Sequence, residues 1–156
     1  MDNFWNVTAK DLLLAGGWFF TIFGWAVTNA QANRRELRKE TRTDVDACCR
    51  MAGDLLAKAR KYYASAASHS ENKALAAELR FDLQRLLARV ERLETNSSKF
   101  EVTGACVELM DSVTGGDFET ATRPAYSFDS ERLLKTESDT HLLMDQLENG
   151  FKLSFK

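Results

Sequence analysis

The chain has 156 residues, of which 44% are hydrophobic and 28% charged, with eight glycines and one proline. This length allows one domain, or one small domain with an appendage, and the composition excludes collagen-like, proline-rich and broadly disordered chains. The formal net charge of -2 excludes a protein that binds nucleic acid through a strongly basic surface. We therefore expect no nucleic-acid partner.

Charge is distributed unevenly along the chain. Residues 34–99 contain 15 basic and 10 acidic side chains, whereas residues 101–156 contain 5 basic and 11 acidic ones. Two oppositely charged parts favour either packing of one part on the other within the domain or head-to-tail contact between copies. Self-packing is the simpler arrangement.

The first feature along the chain is an uncharged segment rich in aromatic side chains. All three tryptophans lie within residues 5–25, and residues 12–33 carry no formal charge. As a helix this segment spans about 33 Å, which is enough to cross a hydrocarbon core of ~30 Å. The sequence therefore predicts a single transmembrane helix over residues 12–33, preceded by a short external amino terminus at residues 1–11.

The charges that flank this segment predict its orientation. Basic residues follow it closely, and positive charge resists translocation. We therefore predict a single-pass protein of the cell (inner) membrane, with its amino terminus outside and its carboxyl-terminal domain cytoplasmic. Membrane lipids are expected partners, with headgroup contacts from five basic side chains, Arg34, Arg35, Arg38, Lys39 and Arg42.

Two other interpretations of the apolar segment remain open. The sequence Ala30-Gln31-Ala32 has the small-x-small pattern of a signal-peptide cleavage site. Its leader is acidic, however, and the mature chain would begin with Asn33 and two arginines, which hinder export. The second interpretation is a buried helix of a soluble domain, although an uncharged stretch without a polar face is unusual in a domain this small.

Small side chains form a stripe along the same segment. They recur at spacings of 4, 3 and 4, which places them on one helix face, and they are Gly17, Thr21, Gly24 and Thr28. Such a stripe lets two helix backbones approach closely, and a threonine hydroxyl can form a hydrogen bond across the contact. The stripe predicts a homo-oligomer.

Two heptad patterns follow. The first lies in residues 34–67, a basic helix next to the span, and comprises Val45, Cys48, Ala52, Leu55, Ala59 and Tyr62. The second comprises Leu79, Leu83, Leu86, Val90 and Leu93. A polar run between them predicts a turn, in which Ser68 and Glu71 have the spacing of a capping box. Two heptad helices joined by a short turn are expected to form an antiparallel hairpin.

The rest of the chain, within residues 68–156, predicts two more helices. A third helix begins near Val102 and ends at Gly115-Gly116, and a fourth runs from Asp129 or Ser130 to Asn149-Gly150. The last six residues alternate apolar and polar, which predicts a short extended tail. The predicted fold class is all-α, with a single transmembrane helix that continues into a cytoplasmic helical hairpin and small helical bundle.

Few residues have the spacing that catalysis or cofactor binding requires. Cys48 and Cys49 are adjacent, which suits neither a redox motif nor a zinc pair. His69 and His141 lie in no metal-binding pattern, and Gly115-Gly116 lacks the surroundings of a phosphate-binding loop. We predict no enzyme activity, no catalytic residue, no metal and no cofactor.

The predicted function is structural. The chain is expected to be a membrane-anchored scaffold that self-associates and presents a helical platform to a partner protein, which the sequence does not name. One alternative is a membrane-acting effector, such as a small toxin or defence protein, whose oligomerisation perturbs the bilayer. Another is a component of a larger membrane complex with no activity of its own.

Overall fold

A computed structural model describes the backbone of residues 9–156 and the side chains of residue 18 and residues 20–156. Residues 1–8 of the predicted amino-terminal segment lie outside the described part. Regular structure over the described range is helical, and the helices are α1 (Ala9–Ala64), α2 (Asn72–Asn96), α3 (Thr103–Thr114) and α4 (Glu131–Ser154). The predicted all-helical class and the helical bundle are therefore confirmed.

The first helix is unusually long. α1 is continuous over 56 residues, in a part of the sequence that contains no proline. The chain divides into two compact units, Met1–Glu40 and Thr41–Lys156, and the boundary between them falls within α1. The second unit therefore contains the carboxyl-terminal part of α1 together with α2, α3 and α4.

The amino-terminal part of α1 corrects the predicted location of the protein. Among the residues that the structure describes, no helix combines the length and the apolar character that crossing a membrane requires. The described apolar run ends at Val27, and Thr28 and Asn29 follow it. In the sequence the apolar run extends from Leu12 to Val27, which as a helix rises only about 24 Å, less than a hydrocarbon core of ~30 Å. The predicted single-pass location in the cell membrane, with an external amino terminus, is therefore wrong, and the span over residues 12–33 has no support.

Within the second unit, α2 and α4 both run antiparallel to α1. This follows from ion pairs whose residue numbers rise along α1 and fall along the other helix. Asp44–Arg89 and Lys58–Asp82 join α1 to α2, while Arg42–Glu148 and Arg60–Glu137 join α1 to α4. The last two pairs, with Arg80–Glu119, also join the basic part of the chain to its acidic part. Opposite charges therefore meet within this unit.

The core of the second unit is built largely from the two heptad faces. The buried side chains of α1 include Val45, Cys48, Ala52, Leu55, Ala59 and Tyr62, and those of α2 include Leu79, Leu83, Leu86, Val90 and Leu93. Residues of α3 and α4, among them Leu109, Val113, Leu143 and Leu147, complete the same cluster. Burial of each large aliphatic side chain contributes roughly 1.5–3 kcal/mol, so these faces hold the helices together.

The turn before α2 differs from the prediction. α2 begins at Asn72 without a side-chain cap bond, so the capping box of Ser68 and Glu71 does not form. The buried amide of Asn72 ties the turn instead. It accepts a hydrogen bond from the Ser65 hydroxyl at 2.8 Å and donates one to the carbonyl of Ala66. A buried amide needs partners at both of its ends, and the turn supplies them.

The start of α3 is fixed by a side chain of α2. The carboxylate of Glu94 accepts hydrogen bonds from the backbone N–H groups of Val102 and Thr103, both at 2.9 Å. It also accepts one from the hydroxyl of Thr103. A carboxylate here satisfies N–H groups that lack helical partners and interacts favourably with the helix dipole. Glu94 thereby sets the position of α3 against the end of α2.

The carboxyl terminus is helical, which corrects the predicted extended tail. α4 passes through Asn149 and Gly150 and ends at Ser154. Gly150 is buried, and a Cβ atom added to it would lie 2.5 Å from a carbon of the Phe100 ring. The glycine therefore permits a close contact between helix and ring, and it does not end the helix.

Candidate functional site

The amino-terminal part of α1 exposes large apolar side chains. Trp18, Ile22 and Trp25 are 68%, 62% and 69% exposed and follow one another at helical spacing. Phe20 and Phe23 are 76% and 61% exposed on other sides of the same helix. Isolated exposed apolar residues are common, but contiguous apolar surface of this kind marks an interaction site. We call residues 18–27 the aromatic segment.

The stripe of small residues lies partly within this segment. Gly17 falls outside the residues whose side chains are described. Thr21, Gly24 and Thr28 are exposed, and a Cβ atom at Gly24 would have nothing within 4 Å. The hydroxyl of Thr28 donates to the carbonyl of Gly24 in its own helix at 2.8 Å. The open space at Gly24 leaves room for a second backbone to approach.

The five basic residues assigned to lipid contact separate into two groups. Arg34, Arg35, Arg38 and Lys39 are exposed, and Lys39 lies 3.8 Å from Glu36. Arg42 instead belongs to the bundle. Its guanidinium pairs with Glu148 and Asp46 at 2.8 and 2.7 Å, lies over the Phe151 ring, and has its pKa raised by hydrogen bonds to both carboxylates. The basic stripe therefore ends before Arg42.

The carboxyl end of α1 is capped by a buried arginine from the loop at residues 117–128. Arg123 is only 2% exposed, and its guanidinium donates to the carbonyl of Tyr62 at 3.1 Å and to that of Tyr63 at 3.5 Å. It also lies over the Tyr62 ring, 4.2 Å from the centroid. A cation at the carboxyl end of a helix satisfies its last carbonyls and complements the helix dipole.

A second arginine contacts Tyr63. Arg132 of α4 donates to the hydroxyl of Tyr63 and to the carbonyl of Gly115, and its guanidinium is 4.2 Å from the Tyr63 ring centroid. Asp117 lies 2.9 Å from Arg132 without the alignment of a hydrogen bond, and it accepts one from the Tyr126 hydroxyl at 2.6 Å. These groups join α1, the loop and α4.

Tyr63 is the centre of this polar cluster. Its hydroxyl donates to the carbonyl of Val113 at 2.7 Å, and burial raises its pKa to about 12, although the positive charge of Arg132 acts in the opposite direction. The phenol is thus held in its neutral form. Sequence reasoning missed this cluster, because Tyr63 lies 50 or more positions before its partners in α3, the loop and α4, and no regular spacing relates them.

Burial lowers the reactivity of two of the three cysteines. All three are free thiols, and Cys48 and Cys106 are buried. Burial raises the pKa of both to about 11, which keeps them protonated near neutral pH. Among the described residues there is also no group of three or more His, Cys, Asp or Glu side chains placed to hold a metal ion.

Comparisons with known proteins add no relative. No family model matches the chain, and no curated protein or solved structure matches it significantly.

Proposed function

We propose that the chain is a helical assembly protein. Copies associate through the aromatic segment of α1, and each copy presents its bundle, residues 41–156, to a partner protein. The observation that supports this proposal is the exposure of Trp18, Ile22 and Trp25 along one stripe of a helix. Burying each such side chain contributes about 1.5–3 kcal/mol, and a neighbouring copy supplies an equivalent stripe.

Gly24 gives the proposal a second support. The open space around it and the exposed stripe it shares with Thr21 and Thr28 would let helices pack closely. Close packing brings the flanking aromatic side chains of two copies into contact. The aromatic segment is apolar on several sides, so an assembly of more than two helices would bury it more completely than a dimer.

Sedimentation equilibrium of the full chain tests the proposal. We expect the triple variant Trp18→Gln, Ile22→Gln, Trp25→Gln to associate at least about tenfold more weakly than the unmodified chain. The matched control is Phe128→Gln, Leu134→Gln, Leu153→Gln, which removes exposed apolar side chains from the bundle. Equal association of both triple variants would contradict the proposal.

Gly24→Ile tests the close approach separately. No atom lies near its Cβ position, so the variant is expected to fold while holding neighbouring helices apart. Gly104→Ile in α3 is the matched control, because that glycine is also exposed and equally free of neighbours.

Release of dye from lipid vesicles by the purified chain, without self-association in solution, would favour a membrane-acting effector instead.

A further inference from the structure

Several exposed charged side chains have no ion-pair partner among the described residues, and two groups of them, of opposite sign, are each clustered on one surface. The first group lies on α1 in residues 34–38, here called the arginine face. Arg34, Arg35 and Arg38 are exposed, and none of them has an acidic partner among the described residues. Positions 34 and 38, like 35 and 38, are neighbours on a helix surface, so the three guanidinium groups share one side.

The second group lies where α3 ends and α4 begins. Asp111 and Glu131 line a cavity of about 440 Å³ that also contains Gly115, Gly116 and Ser130. Both carboxylates are exposed, as is that of nearby Asp129, and no hydrogen bond or ion pair to these carboxylates is found in the described part of the chain. We call Asp111, Asp129 and Glu131 the acidic face.

The two basic residues of this cavity do not neutralise the acidic face. Lys135 lies 3.0 Å from both Glu108 and Asp139, and Arg132 pairs with Asp117. Each is therefore already matched by its own carboxylates. The carboxyl end of α3 carries a negative partial charge and the amino end of α4 a positive one, so their contributions to the potential at the cavity largely cancel. The unpaired carboxylates thus set a negative potential at the mouth of the cavity.

We propose that the arginine face of one copy binds the acidic face of a second copy. Charge complementarity identifies the occupant, since three unpaired guanidinium groups on one surface meet three unpaired carboxylates on another. Arginine binds carboxylate in a planar, two-bond geometry, which gives such a contact direction as well as attraction. The contact deepens the proposed function, because it names a second surface through which copies of the chain associate.

This contact is heterologous, which has a structural consequence. Each copy uses its arginine face toward one neighbour and its acidic face toward another, so the contact alone produces an open chain of copies unless a rotation closes it into a ring. The aromatic segment does not take part in it. Salt should weaken the arginine contact, whereas association through the aromatic segment should be far less sensitive to salt.

Charge reversal in the full-length chain tests the contact. We expect Arg34→Glu, Arg35→Glu, Arg38→Glu and, separately, Asp111→Lys, Glu131→Lys to weaken association at low salt by about fivefold or more in sedimentation velocity experiments. The controls make the same charge changes elsewhere on exposed residues that lack ion pairs. They are Arg50→Glu, Arg92→Glu, Lys99→Glu and Glu91→Lys, Glu101→Lys, and they should leave association unchanged.

Mixing the two reversed variants is the decisive step. One carries a negative α1 face with a native acidic face, and the other carries a native arginine face with a positive cavity, so each can bind the other. We expect association to return in the mixture, although each variant alone associates weakly. A mixture as weak as its components, or controls as weak as the reversed variants, would overturn the inference.

The arginine contact and association through the aromatic segment can be tested independently, so one can be disproved while the other stands. Repeating the mixing experiment in chains that carry Trp18→Gln, Ile22→Gln, Trp25→Gln leaves the charge contact as the only proposed association. Salt-sensitive association in that background supports the arginine contact even if the aromatic segment does not assemble copies. Its loss, with salt-resistant association kept in the unmodified chain, overturns the arginine contact alone.

Discussion

At the scale of single residues, Tyr63 shows how one polar atom can join three parts of the chain. Its hydroxyl donates to Val113 at the end of α3 and accepts from Arg132 of α4, while its carbonyl accepts from Arg123 and from the N–H of Tyr126. A phenol in this position has its bonding capacity filled. Ionising it would place a charge in a buried site and remove the donor that Val113 requires.

This arrangement predicts a loss of stability at alkaline pH. Burial raises the pKa of folded Tyr63 to about 12, above about 10 in an unfolded chain. The folded state therefore holds the proton more tightly, and the free energy of unfolding falls as pH rises from about 10 to about 12. We expect Tyr63→Phe to be less stable than the unmodified protein at neutral pH by about 1–2 kcal/mol and to lose less stability over that interval.

Urea unfolding at a series of pH values measures this effect. Cys48 and Cys106 also have pKa values raised to about 11 by burial. Their ionisation therefore also lowers the free energy of unfolding as pH rises. The comparison of Tyr63→Phe with Cys48→Ala separates the contribution of the phenol from that of the Cys48 thiol. If the stability of Tyr63→Phe fell as steeply with pH as that of the unmodified protein, Tyr63 would not be the source of the alkaline loss.

At the scale of elements, the helices differ in how far local sequence determines them. The heptad spacing of α1 and α2 predicts their buried faces, because periodicity is a local property that survives in the fold. The end of α4 is different. Asn149-Gly150 has the composition of a helix stop. Gly150 instead allows α4 to pack closely against Phe100, which is 50 positions away in the chain. No local pattern reveals that contact.

Gly150 therefore gives a prediction for α4. We expect Gly150→Ala to destabilise the protein by about 1–3 kcal/mol, because the added Cβ would lie 2.5 Å from the Phe100 ring. Gly53→Ala is the control, since its Cβ would meet the Met144 methyl at an ordinary 3.7 Å, and alanine there should stabilise α1 by roughly 0.5–1 kcal/mol. Denaturant unfolding measures both. If Gly150→Ala were as stable as Gly53→Ala, the close contact would not be a constraint.

The sequence predicts the turn before α2, but the burial of Asn72 in that turn and of Arg123 in the polar cluster could not be predicted, for the same physical reason. Arg123 and Asn72 are polar residues in loop-like sequence, and such residues are usually solvated. Both are buried, because Arg123 donates to carbonyls in the last turn of α1 and Asn72 donates to the carbonyl of Ala66, just after that helix ends. The predicted membrane span is unsupported for a different reason: residues 12–33 carry no charge, but the segment becomes polar from Thr28 onward.

At the scale of the whole molecule, the chain consists of two units with different surfaces. In Thr41–Lys156 apolar side chains are gathered into a core and many charges are paired, whereas the described part of Met1–Glu40 exposes its aromatic and basic side chains. A helix whose side chains are exposed depends on its own backbone hydrogen bonds and opens locally more easily than a packed helix.

Limited trypsin digestion is expected to reveal this difference. At high salt, where the proposed contact between copies is weakened, the first cuts should follow Arg34, Arg35 and Arg38. They should leave a stable fragment that contains the bundle, because many of its basic residues are held in ion pairs and packed helices. Mass spectrometry identifies the fragment. First cuts within α2 or α4 would contradict the division.

The cap on α1 also has a consequence for how the chain is made. The last carbonyls of that helix bond to Arg123, and the N–H of Tyr126 bonds to Tyr63, so the partners lie some 60 positions later in the chain. A ribosome that has released only α1 and α2 has supplied the core face of the hairpin but not this cap. Truncation before residue 123 therefore leaves a hairpin whose turn end is still without its cap.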